Sequence, residues 1–238
     1  MHQAAPSLEN TLGTLLAHVR LRAQAAESMR ERIIITRDVA PFSLAMYSMR
    51  RGSDLSFTLA AQILRLPEAR GFIFNFLFGK TLRASSEAVV VLATGDPDTC
   101  PVRGVNEYIS AAQAIGWDLS YGYLFSTPKQ DGSRGTSRLV AKDMTRALQS
   151  HLQEASLSTL FTMHSFRVGG SLSKAMAGEA IEQIMQVGGW KTEAIARYYV
   201  EPSAKRRRAQ DYSAANEAPL SRAFETDVAA CIRHKRGS

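Results

Sequence analysis

A chain of 238 residues, 45% hydrophobic and 21% charged, carries enough apolar side chains for one domain of ordinary size with its own core. No apolar run approaches the roughly 18 residues needed to cross a bilayer, and the start Met1–Pro6 lacks the basic and apolar regions of a secretory signal. Cys100 and Cys231 lie far apart without metal-ligand spacing, which argues against a disulfide scaffold and a zinc module. Twenty-nine Lys and Arg against 22 Asp and Glu give a net charge of +7, which suits a nucleic-acid or other acidic partner without proving one.

Taken in chain order, Leu8, Leu12, Leu15, Leu16 and Val19 recur at helical intervals behind Ser7, a candidate N-cap. A second helix is expected from Arg37 to about Met49, burying Phe42, Leu44, Ala45 and Met49. The charged turn Arg50–Leu55 opens a short helix. Three apolar runs follow, Gln62–Pro67, Phe72–Phe78 and Ala88–Leu92, rich in β-branched and aromatic residues. They predict a small antiparallel sheet, with Gly79–Arg83 in the hairpin between its second and third strands. Helix is expected again over Val105–Ile115, Ala141–Ala155, Met163–Ala177, Ala180–Val187 and Thr192–Val200, with Thr127–Ser137 as a loop. Gly178 and the pair Gly188–Gly189 are placed to stop two of these helices. A basic run, Lys205–Arg208, and an amphipathic piece, Leu220–Ile232, close the chain. The fold class is therefore mainly α with a small three-stranded antiparallel β-sheet.

Several familiar motifs fail. Gly79–Lys80–Thr81 looks like the end of a phosphate-binding loop, but the required upstream glycine is Phe74. Paired catalytic carboxylates, a Gly-x-Ser-x-Gly elbow and a His-rich metal cluster are absent from the sequence. His2, His18, His151 and His234 stand isolated and read as surface or partly buried histidines. His164 has better company. It shares a helix face with Arg167, three residues on, and Gly169–Gly170 follow. Gly188–Gly189–Trp190 and Tyr198–Tyr199 lie downstream, Arg51 and Lys80 upstream. Two arginines, a lysine, a histidine, an indole and a phenol form a set suited to a phosphate and a nucleophile. Each of them taken alone reads as an ordinary surface or core residue.

Together they resemble the tyrosine recombinases (the phage-integrase family). His164–Ser165–Phe166–Arg167 is similar to that family's His-x-x-Arg box, and Ile184–Trp190 continues the similarity with Trp190 where most relatives have histidine. Arg51–Leu55 resembles the box around the first catalytic arginine, and the acidic residue three further on selects Arg51, with Asp54 as companion, over Arg50. Lys80 matches the hairpin lysine, and the nucleophile position nine residues beyond Trp190 is Tyr199. The intervals between the six positions are 29, 84, 3, 23 and 9 residues.

The resemblance implies a catalytic domain of the DNA breaking-rejoining fold and a catalytic set of Arg51, Lys80, His164, Arg167, Trp190 and Tyr199. It implies site-specific recombination or integration through a 3′-phosphotyrosyl intermediate, with no metal and no other cofactor. Expected partners are double-stranded DNA and further protomers in a tetrameric synapse, with no membrane, inside the cell wherever the DNA is. The expected division is a helical segment over 1–36, the catalytic domain over 37–204, and a basic tail over 205–238 in which Leu220–Ile232 is a candidate exchanged helix. About 36 residues ahead of the matched region are too few for the family's separate core-binding domain. Two alternatives stay open: a DNA-binding remnant without recombination activity, and a nicking-closing enzyme, topoisomerase-like, of the same chemistry.

Overall fold

Leu12, Leu15, Leu16 and Val19 are fully buried along one face of helix α1 (Leu8–Ala25), as their spacing predicts. A computed structural model describes residues 8–76 and 87–200 of the chain. The expectations for Ser7, Gly79–Arg83, Lys205–Arg208, Leu220–Ile232, His2, His234 and Cys231 lie outside the described residues.

Helix α2 spans Met29–Tyr47 and begins upstream of the expected Arg37. Ser28 Oγ accepts a hydrogen bond from the Glu31 N–H at 3.0 Å, which caps the earlier start. Ile33 and Ile35 are buried in these added turns, so the apolar face begins well before Phe42. The helix crosses the boundary drawn after residue 36, and α1 packs along it. Pro41 sits inside α2 and is buried, although its missing N–H removes one rung of the helical ladder.

Helix α3 (Gly52–Ser56) follows at once. The sheet comes next: β1 (Ile63–Arg65), β2 (Gly71–Phe76) and β3 (Glu87–Leu92), antiparallel in the order β1-β2-β3. Its last β2–β3 pair is Phe76 opposite Glu87. Phe72, Phe74, Phe76, Val89 and Val91 face the core, while Leu64, Val90 and Leu92 point the other way into solvent. Helix α4 (Pro101–Ala114) starts four residues before the expected Val105, with Pro101 at the first helical position where its missing N–H costs nothing. Helices α5 (Ala141–Glu154), α6 (Met163–Met176) and α7 (Ile181–Gly188) fall where expected, and 193–200 are helical (α8).

Two clusters of buried apolar side chains result. The main core lies between α1, α2, α4, α5, α6 and the inner sheet face. A smaller one gathers Met49, Ile184, Trp190, Ala196 and Tyr199. Beside the main core runs a buried polar chain. Arg37 donates to Asp38 Oδ1 at 2.8 Å, Asp38 Oδ2 lies 3.3 Å from His151 Nε2, and Arg22 Nη1 lies 2.9 Å from His151 Nδ1. A guanidinium can only donate, so Nδ1 accepts and the His151 Nε2–H faces Asp38. No helix among the described residues is long and apolar enough to cross a membrane.

Candidate active site

The smaller cluster is where the predicted residues meet. Helix α2 ends at Ser48, whose N–H bonds back to Leu44, and Met49 then turns into the left-handed region at φ 50°. A non-glycine residue held there costs about 1–3 kcal/mol. The turn aims the Met49 carbonyl at Arg167, whose Nη1 donates to it.

Arg167 reaches this point from α6. Thr162 caps that helix in a reciprocal box with Ser165, which sets its first turn. Gly170 lies one turn on, where α6 crosses α2 so closely that a Cβ would fall 1.9 Å from the Met46 carbonyl oxygen. Arg167 is 1% exposed. Its Nη2 donates to the Gly188 carbonyl at 2.9 Å. Two main-chain carbonyls, from the ends of α2 and α7, therefore orient the guanidinium. Burial pulls its pKa down to about 10, with Arg51 adding repulsion and Tyr199 and Asp54 opposing the shift. It remains a cation at neutral pH.

Gly189 adopts φ 64° after α7 and turns the chain so that Trp190 packs inward. The Trp190 ring stacks on Tyr199, centroids 4.8 Å apart and planes 23° from parallel. The His164 ring meets Tyr199 edge-on at 5.7 Å. The Arg167 guanidinium carbon lies 4.7 Å from the Trp190 centroid and 5.8 Å from that of Tyr199. Tyr199 is 8% exposed, whereas Tyr198 beside it is 54% exposed. Only Tyr199 is enclosed by the predicted set. Two donors in this enclosure, Trp190 Nε1 and Arg167 Nε, are buried with no acceptor among the described residues.

Arg50 and Arg51 part company. Arg51 is half-buried at the N-terminus of α3, its own N–H donating to Asp54 Oδ2 at 3.3 Å, with Gly52 against Met163 at the start of α6. Arg50 is buried and pairs with Glu87. Both arginines repel the Arg167 charge, Arg51 more strongly than Arg50. Of the six predicted residues the structure brings five together, and Lys80 lies outside the described residues. Sequence reasoning missed the Met49 and Gly188 carbonyls and the Arg50–Glu87 pair. The glycine pair 188–189 was a signal for the turn that carries the Gly188 carbonyl; nothing local marks Met49.

No protein-family model matches the chain, and no curated protein matches it. Solved structures do. A XerA recombinase matches over 92% of this chain and 66% of its own, at 19% identity and TM-score 0.58. The XerH site-specific recombinase in a post-cleavage complex with palindromic difH substrate matches over 87% and 52%, at 14% and 0.61. The FLP recombinase–Holliday junction complex matches over 82% and 46%, at 13% and 0.51. The chain therefore has the tyrosine recombinase catalytic-domain fold. It spans between about half and two thirds of the length of these structures.

Proposed function

We propose that this chain is the catalytic part of a DNA recombinase or integrase that cleaves and rejoins duplex DNA through a 3′-phosphotyrosyl link at Tyr199. One observation carries the proposal: a phenol enclosed by a guanidinium, an imidazole and an indole, with two buried N–H donors left without an acceptor among the described residues. Donors fixed in a dry site suit the oxygens of a phosphate on which charge develops.

In this reading the Tyr199 hydroxyl oxygen bonds to phosphorus as the bond from phosphorus to the 5′-oxygen breaks. Arg51 and Arg167 hold the non-bridging oxygens and offset the charge that develops on them, and Trp190 Nε1–H donates to the same group. His164 takes up the proton that leaves the phenol and returns it when the strand is rejoined. Lys80 gives a proton to the departing 5′-oxygen. The tyrosyl phosphate keeps the energy of the phosphodiester, so the reverse steps rejoin a strand without a nucleotide. Partners in the proposal are duplex DNA and further protomers in a tetrameric synapse, inside the cell, in the setting of a mobile element.

The test uses the full chain and a pool of nicked duplexes of randomised sequence, in which the short strand diffuses away after cleavage. A detergent-resistant adduct is expected with the wild-type chain and none with Tyr199→Phe. DNA binding without an adduct would favour a binding protein that performs no strand transfer.

A further inference from the structure

Arg50 is 3% exposed and belongs to no part of the mechanism above. Its Nη1 donates to Glu87 Oε2 at 2.9 Å, and its Nη2 lies 2.8 Å from Glu87 Oε1 without hydrogen-bond geometry, an ion pair held by one hydrogen bond across 37 residues of sequence. The same guanidinium lies 5.1 Å over the Phe76 ring. Phe76 and Glu87 are opposite one another in the last register pair of β2 and β3. One side chain therefore grips both strands at the point where they leave the described sheet. Lys80 is one of the residues joining those two strand ends.

The grip has a third contact. A Cβ on Gly189 would lie 2.6 Å from Arg50 Nη1 and 3.0 Å from Glu87 Oε2, so the pair sits directly on that glycine's backbone. Gly189 separates Gly188, whose carbonyl orients Arg167, from Trp190, which stacks on Tyr199. Arg50 also precedes Arg51 in the chain. A buried ion pair is costly to desolvate and is a weak source of stability, so its placement here calls for another account.

We infer that Arg50 and Glu87 are positioning residues, an ion pair that registers the ends of the Lys80-bearing segment against the phosphate pocket of Arg51, Arg167 and Trp190. The inference rests on the recombinase reading and on Lys80 as the group that protonates the leaving oxygen. Losing the pair should impair delivery of that proton and leave phosphate binding and tyrosine attack largely intact.

The experiment compares two nicked substrates, one with the normal 5′-oxygen at the scissile bond and one with sulfur in its place. When the phosphorus–sulfur bond breaks, its electron pair departs on a thiolate, which is stable unprotonated near neutral pH. That step needs no acid. Glu87→Gln and Arg50→Met should each slow adduct formation on the oxygen substrate by roughly 10- to 100-fold, while rates on the sulfur substrate stay within about threefold of wild type. Arg50→Met keeps an aliphatic chain against Phe76 and leaves Glu87 partly hydrated, so it covers the case in which Glu87→Gln folds poorly; thermal melts accompany both. Equal losses on the two substrates, or no loss on either, would overturn the inference and leave the recombinase reading standing. No adduct from the wild-type chain on either substrate would overturn both.

Discussion

Trp190 and Tyr199 lie face to face at 4.8 Å in a small core of their own, apart from the main one. The stack gives Trp190 two separable duties. Its ring area holds the tyrosine, and its Nε1–H is a buried donor without an acceptor among the described residues.

Trp190→Phe should therefore keep the stack and lose the donor. Removing one preorganised donor commonly costs about 10²–10³ in rate. Adduct formation should fall by that order while the melting temperature changes little. Trp190→Ala should lose both, and a rate for Trp190→Phe equal to wild type would show that the indole only packs.

Arg167→Lys is expected to be severe on two counts. Lysine keeps a charge but cannot reach the Met49 and Gly188 carbonyls and a phosphate at once. A loss of about 10²–10³ in cleavage is expected, with about 1–3 kcal/mol of stability for each buried carbonyl left unpaired. Single-turnover cleavage and urea unfolding of the same samples measure the two effects separately.

Gly170→Ala tests the α2–α6 crossing that sets Arg167. A Cβ would strike the Met46 carbonyl oxygen, so the helices must part, at about 1–3 kcal/mol. Gly95, with nothing within 4 Å of its Cβ position, is the matched control, and Gly95→Ala should melt like wild type.

The chain Arg37–Asp38–His151, buried at these three residues and ending on the partly exposed Arg22, shares none of its hydrogen bonds with the residues around Tyr199 and separates stability from chemistry. Asp38→Ala strands Arg37 in the core and should cost about 3–5 kcal/mol. Cleavage per folded molecule should be unchanged. A selective loss of cleavage in a stably folded Asp38→Ala would tie this chain of charges to the site.

Cleavage should also persist in EDTA, because in the proposed mechanism the guanidinium groups of Arg51 and Arg167 supply the positive charge at the phosphate. A strict Mg²⁺ requirement in the cleavage step would contradict the roles given to them.

Much of this was legible in the sequence because it depends on short-range patterns. The leucines of α1 and the alternating Phe72–Phe76 strand show their buried faces by period alone. His164 and Arg167 share a face by spacing, whereas the choice of Tyr199 over Tyr198 comes only from the family resemblance, which implies an interval of nine residues after Trp190. The start of α2 was hidden because Ile33–Ile34–Ile35 is β-branched and has no helical rhythm, so only the Ser28 cap marks it. Pro101 was a missed start signal for α4. The carbonyls that orient Arg167 are main-chain groups; the glycine pair 188–189 marks one of the two turns, and nothing local marks the other at Met49. Arg50 and Glu87 are brought together only by the sheet folding back onto the α2–α3 junction.

The central claim is that Tyr199 is the nucleophile. Proteolysis of the trapped adduct, followed by mass spectrometry of the nucleotide-bearing peptide, locates the link directly. The account predicts a phosphodiester on the Tyr199 oxygen, its loss in Tyr199→Phe and its persistence in Tyr198→Phe. A link on Tyr198, or one that survives in Tyr199→Phe, would contradict it.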